Sequence, residues 1–294
     1  MSGALLAAAA GIGFGAFQTL NRRAVQGIPD AVLATFLQLL IAVTVLVALS
    51  LATQDLGELG RATTASLLWF ALAGLVHFSL GWTLLNKSQI RIGAARTSPL
   101  LSTNPLFGAV LAAAVLRELP RLLAWVGIAA VTVGALVVSL GRVGDAGWEI
   151  QWRDSGWGLA TALAWAVSPL MIREGLEGLH SPLLGVTVSM VAAVLAYALL
   201  LAVRGRATRR EIHWTSLWFK LAAGVFVALS TWLRWLALDY TEIAVVLALG
   251  LLSVPMVLFL SPLLVGRHVE HVTLQIWAGA TLVVGGALVL VLAG

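Results

Sequence analysis

Two ionisable side chains, His77 and Arg234, lie well inside long apolar stretches of this 294-residue chain, and no Asp or Glu falls in the middle of any such stretch. A polar group within a membrane span is costly and marks function by default. An imidazole has a reference pKa of about 6.5, so His77 could exchange a proton near neutral pH. It could equally bond a carbonyl of a neighbouring helix. Arg234 could hold an anion, snorkel to the interface, or pair with Asp239 or Glu242 beyond its helix end. The uncharged company is Gln18, Gln38, Ser102, Asn104, Ser168, Ser189 and Ser253. Serines within helices commonly bond their own backbone; the amides of Gln18 and Asn104 have more to satisfy and less local help. The buried set is basic and unopposed by carboxylates, which favours a zwitterionic or anionic ligand such as an amino acid, organic acid or phosphorylated metabolite.

Aromatic and proline positions add to this set. Of the 12 tryptophans, Trp82, Trp165, Trp232 and Trp235 lie within apolar stretches, whereas the rest lie near their ends, where indoles anchor at headgroup level. Trp82 and Trp232 can form an apolar wall or an aromatic cage for a cation. Pro105 and Pro255 lie mid-stretch, where proline removes a helix hydrogen bond. In lipid such a break persists only where it faces protein or a watery cavity, so the pair is expected to hinge or kink helices beside a central site.

The elements that carry these residues must be membrane helices. The chain is 60% apolar and 11% charged, with a mean hydropathy of +0.99. A soluble domain carries about 25% charged residues, so a soluble enzyme, secreted module, disordered regulator or nucleic-acid binder is excluded. A helix needs roughly 20 apolar residues to cross the hydrocarbon core. Continuous Ala/Leu/Val-rich runs occur at about 4–20, 32–52, 66–86, 97–116, 122–140, 157–173, 182–203, 217–238, 243–264 and 274–293, which predicts ten spanning helices and no barrel. No basic segment precedes the first run, which argues against a cleaved signal.

The chain also matches itself. At an offset of 150, Arg23 meets Arg173, Gly74 meets Gly224, Trp82 meets Trp232, Ala94 meets Ala244 and Pro105 meets Pro255. At 152, Glu118 meets Glu270, Trp125 meets Trp277, Gly127 meets Gly279 and Gly134 meets Gly286. The predicted organisation is therefore one five-helix repeat over 1–141, a connecting loop over 142–156 and a second repeat over 157–294. Five is odd, so the second repeat must enter the membrane upside down. Inverted-topology repeats are the architecture of many secondary transporters. Small residues four apart, Gly11, Gly15 and Thr19, then Ala160, Ala164 and Ser168, mark faces where helices approach closely.

The residues then resemble a known family. Ile92-Gly93-Ala94-Ala95, Ser98-Pro99-Leu100, Asn104-Pro105-Leu106-Phe107 and Leu116-Arg117-Glu118, followed by Gly127 and Gly134, recur as Glu242-Ile243-Ala244, Pro255, Glu270, Gly279 and Gly286. Gly156–Gly178, with Ala164-Trp165-Ala166 and Ile172-Arg173, is similar to an opening helix. This pattern resembles the EamA-type transporters of the drug/metabolite transporter superfamily. The resemblance implies a ten-helix carrier, often an exporter, that moves small metabolites through a central cavity, with helices five and ten peripheral and able to support a homodimer. The link Gly266-Arg267-His268-Val269-Glu270 departs from the family's shorter one.

Other readings are weaker. No Walker phosphate loop is present, and His268 and His271 beside Glu270 lack the spacing of a zinc site, so no cofactor or metal is expected. The run Arg204, Arg206, Arg209 and Arg210 reads as a topology signal, not a nucleic-acid patch. No nucleophile or acid/base pair points to a membrane enzyme, and an enzyme or scaffold is the least favoured class. The expectation is an alternating-access carrier of a small-molecule substrate, multi-pass in a plasma membrane of the bacterial inner-membrane type. Its binding residues are Gln18, Gln38, His77, Trp82, Ser102, Asn104, Trp165, Trp232 and Arg234, with proton coupling through His77 as an added hypothesis. A lipid or lipid-precursor flippase and an exporter of cationic drugs or quaternary amines are the alternatives. Thirteen of the 18 Lys/Arg residues fall on the side of the loops after spans one, three, five, seven and nine. The positive-inside rule puts that side in the cytoplasm and both termini outside; the family resemblance implies both termini inside.

Overall fold

The computed structural model describes residues 2–25, 28, 31–85, 87–88, 100–117, 120–141, 152–204, 214–264 and 273–293. Among them every regular element is helical. In chain order these are α1 (Ser2–Val25), α2 (Ala31–Thr53), the short α3 (Gly57–Arg61), α4 (Thr64–Gly74), α5 (Asn104–Leu111), α6 (Leu122–Gly141), α7 (Trp152–Gly178), α8 (Pro182–Arg204), α9 (Trp214–Tyr240), α10 (Ile243–Gly250), α11 (Ser253–Leu264) and α12 (Leu274–Ala293). α4 runs on into π-helical turns over Leu75–Gly81, and α5 into another over Ala112–Leu116. That second turn ends on Arg117 in the left-handed region at φ 56°.

Among the described residues six stretches are long and apolar enough to cross a membrane: Ser2–Ala24, Val32–Thr53, Thr64–Leu85, Pro182–Val203, Trp214–Tyr240 and Leu274–Leu292. These match the first, second, third, seventh, eighth and tenth runs of the sequence. The ten expected spans are therefore matched in part. Asn104–Leu116, Leu122–Val138 and Ile243–Val257 are shorter apolar helices. α7 is long enough, but it begins at Trp152, inside the segment expected as a connecting loop, and carries charge at both ends. The rest of that segment, the Ile92–Pro99 motif and the Gly266–Glu270 link lie outside the described residues.

The expected breaks in spans four and nine have a specific form. The turn at Ser102 and Thr103 precedes α5, with Thr103 N–H donating to Leu100 O at 3.3 Å. The turn at Leu251 and Leu252 separates α10 from α11, through Leu251 N–H to Ala248 O at 2.9 Å and Leu252 N–H to Leu249 O at 3.1 Å. Pro105 and Pro255 thus stand in the first turns of α5 and α11, where a missing N–H costs little. Each span is a discontinuous helix whose chain breaks just ahead of the proline.

Packing between the halves is reciprocal. α1 packs on α9 as α7 packs on α4; α1 packs on α10 and α11 as α7 packs on α5; α2 packs on α9 as α8 packs on α4; and α2 with α8, α5 with α10 and α6 with α12 form mutual pairs. Contacts fix the directions. Ser181 Oγ at the start of α8 donates to Gln54 Oε1 at 2.7 Å, beyond the end of α2. The start of α4 meets the end of α7, where Ser66 Oγ bonds Gly175 O. Glycines set the closest approaches: a Cβ on Gly74 would strike the backbone carbonyl of Ser189 in α8, and one on Gly11 that of Leu249 in α10. Gly15 abuts Met256 and Ser253. The small-residue face of α1 is therefore a packing face.

Candidate functional site

His77 lies in the π-helical turns that follow Gly74, a backbone form frequent at functional sites. Its Nδ1 is 2.7 Å from Ser168 Oγ on α7, and its ring stacks on Trp165 with centroids 5.7 Å apart at 23°. Trp165 Nε1 in turn donates to the His77 carbonyl at 3.2 Å. Three contacts thus lock one turn of α4 to one turn of α7. Pro169, inside α7, helps to make this possible. It has no N–H to offer Trp165 O four residues earlier, and Ser168 Oγ lies 3.4 Å from that carbonyl.

Around this lock the structure gathers much of the expected set. Asn104, at the broken start of α5, donates from Nδ2 to Ala162 O of α7 at 3.0 Å. Ser102, in the preceding turn, is buried. Trp82 is buried, stacks on Phe17 of α1 at 6.2 Å and meets Phe78 edge-on at 5.7 Å. Arg234 on α9 is within electrostatic reach of the His77 ring. Arg234 is half-buried, and it has no hydrogen bond or ion pair among the described residues. Five N–H donors in a planar fork suit a carboxylate or phosphate.

Other expected residues fall elsewhere. Gln18 is exposed and is not brought to this cluster. Trp232 is half-buried, and among the described residues it has no ring partner, so the two repeat-related tryptophans do not form a matched cage. Gln38 is buried, but in a second polar group: its Oε1 accepts from Lys220 Nζ at 2.9 Å, while Asn21 Oδ1 accepts from the same ammonium at 2.5 Å. Lys220, Asn21 and the partnership of Ser168 with His77 escaped the sequence reading. Lys220 falls near a run end, where a lysine ordinarily snorkels. The signal that could have flagged it is its alignment, at the repeat offset of 150, with Phe70, a residue expected inside the third span.

Comparison with known proteins agrees with this architecture. Among proteins of curated function, none matches the sequence significantly. One solved structure, described as the crystal structure of a protein, superposes with a TM-score of 0.71 at 20% identity, covering 97% of this chain and 96% of the other; at that identity the likeness establishes the fold. The model of the EamA-like transporter family matches residues 1–140 and again 155–292. With both halves matched, and a helical, two-repeat, multi-pass membrane architecture around an interior polar cluster, the chain belongs to the EamA-like transporter family.

Proposed function

We propose that the chain is a ten-span secondary transporter of inverted five-helix repeats, 1–141 and 157–294, that moves a small zwitterionic or anionic metabolite by alternating access. The family is one of transporters, and its membership carries the class of activity. Reciprocal packing supports the mechanism, because exchanging the conformations of two equivalent halves converts a cavity open to one side into one open to the other. The broken helices at 102–103 and 251–252 support a central site, since irregular backbone at membrane depth belongs beside a cavity. One observation carries the cargo class: Arg234 is half-buried with no protein acceptor among the described residues, and no Asp or Glu occupies the middle of a span. An anionic group on the cargo supplies the missing partner. His77, Ser168, Trp165 and Asn104 form the neutral wall, with Trp82 its aromatic side. We assign export as the direction, a plasma membrane as the site, and the outer faces of α6 and α12 as the dimer contact.

The test is a thermal-shift screen of amino acids, organic acids, phosphorylated metabolites, nucleotide sugars and quaternary amines on purified protein, followed by counterflow of each hit in liposomes. A hydrogen bond to a charged group contributes about 1.5–3 kcal/mol, so Arg234→Met is expected to weaken the hit by about 10- to 150-fold. A hit whose affinity Arg234→Met leaves unchanged refutes the anionic reading, and a quaternary amine as the sole hit replaces it with a cation carrier.

A further inference from the structure

Positions 70 and 220, one repeat offset apart, are chemical opposites in the same structural place. Both are buried to about the same degree, Phe70 at 0% and Lys220 at 1% exposure. Each lies in the second turn of its helix, α4 or α9, against the end of one helix and the start of another from the opposite half. The Phe70 ring lies against Gly175 near the end of α7 and Gly185 near the start of α8. The Lys220 ammonium reaches Asn21 near the end of α1 and Gln38 near the start of α2. One end of the bundle is thus packed with hydrocarbon, and the other holds a buried cation.

Packing alone does not require that cation, since phenylalanine fills the equivalent junction. A buried charge is costly unless paired and hydrogen-bonded. Two amide oxygens take two of the three ammonium donors but bring no counter-charge. Among the described residues no carboxylate bonds Lys220. The nearby carboxyl end of α1 contributes only about half a negative charge. Lys220 also shares a stripe of α9 with Arg234: residues 220, 224, 227, 231 and 234 follow helical spacing. Fourteen residues at about 1.5 Å each separate the two cations by about 21 Å along one face.

We propose that Lys220, framed by Asn21 and Gln38, is an anion-binding site at the α1/α2/α9 end of the bundle. A carboxylate or phosphate group displaces the amide oxygens there and neutralises the ammonium. As a station for cargo this rests on the transport reading above; as a site for a small inorganic anion it does not. The two uses share one chemistry, and Lys220 and Arg234 then mark successive positions for an anion along α9.

The experiment uses the purified full chain in the Arg234→Met background, so that the guanidinium contributes nothing. Melting temperature is followed against chloride, inorganic phosphate, acetate and succinate at constant ionic strength balanced with isethionate. At least one probe is expected to raise it saturably, with Lys220→Met weakening the half-saturating concentration by about tenfold or more and Lys220→Arg retaining the effect. Gln38→Leu removes a competing oxygen and is expected to bind the probe more tightly, which a merely structural lysine would not produce. Chloride or phosphate acting without the carboxylates identifies an inorganic ligand; carboxylates that also exchange in liposomes identify cargo; either supports the site. An Arg234→Met chain that no probe stabilises, or a shift that adding Lys220→Met leaves intact, overturns it. If Lys220→Met does not fold, unchanged or weaker binding in Gln38→Leu overturns it instead. A Lys220-dependent shift alongside normal transport by Arg234→Met sinks the central-site reading and leaves this one standing.

Discussion

Gly81→Ala adds one methyl group and should act on binding through Trp165. A Cβ at position 81 would lie 2.5 Å from Trp165 Nε1 and 2.8 Å from its Cδ1. Ordinary contact begins at 3.4 Å, so the indole must retreat by 0.9 Å. The push falls on the nitrogen that donates to the His77 carbonyl at 3.2 Å, and on the ring that stacks against the imidazole at 5.7 Å. A neutral hydrogen bond contributes about 0.5–1.5 kcal/mol net, and an aromatic pair about 0.5–1.5 kcal/mol beyond its buried area. Losing both costs about 1–3 kcal/mol, or roughly 5- to 150-fold in the affinity of a ligand that needs the wall intact. The assay is the half-saturating concentration of a transported substrate in liposomes, alongside the melting temperature of the empty protein. Gly285→Ala is the control, because a Cβ there meets nothing within 4 Å. If Gly81→Ala binds within twofold of the wild type, the α4–α7 lock is not part of the binding wall.

Three further outcomes are expected. Gly134→Leu should lower the melting temperature by several degrees through about 1–3 kcal/mol of overpacking, because even a Cβ at 134 would meet Gly279 O and Val283 N at 2.7 Å; an unchanged melt would mean that α6 and α12 separate freely. His77→Gln is expected to flatten the pH profile of uptake if the imidazole carries the coupled proton, and a retained slope removes His77 from that role. The excess of Lys/Arg on one side predicts that a C-terminal reporter active only outside the cytoplasm will be active, and a reporter fluorescent in the cytoplasm reverses the orientation.

What could be read from the sequence was what repetition and hydropathy encode. The halves were legible because Gly74 and Gly224 recur at an offset of 150 and Gly134 and Gly286 at 152, in register with the Trp, Pro and Glu matches, and each glycine proves to mark a close helix approach. His77 was legible because an imidazole amid apolar residues is conspicuous. Its partner Ser168 was not, since a helix serine usually bonds its own turn, and only the packing of α7 on α4 turns it to the ring. Gln18 shows the limit in reverse: hydropathy places it at membrane depth but does not say that its side chain is exposed on α1. Lys220 was undervalued because its burial depends on two amides from α1 and α2 converging on it. The helix breaks were found by their prolines, one turn late, because proline tolerates the first turn of a helix and the chain opens before it.

The two halves share a scaffold and differ in chemistry. Helix contacts recur under exchange of the repeats, as do the glycine approaches at Gly74 and Gly224, Gly127 and Gly279, and Gly134 and Gly286. The polar residues do not: His77 corresponds to Val227, Arg234 to Leu84, Lys220 to Phe70, Asn104 to Val254, and Phe17 beside Trp82 to Val167 beside Trp232. Such a division follows from what each layer must do. Alternating access needs two conformations of nearly equal free energy, which equivalent backbone packing supplies most simply. Recognition needs the opposite, because a small metabolite with a charged end has no two-fold axis. A symmetric pair of buried cations would leave one of them unmatched, at the cost of an isolated charge in low dielectric. On the transport reading proposed above, divergence of side chains within shared packing would let one duplicated fold switch symmetrically while holding its cargo in a single orientation.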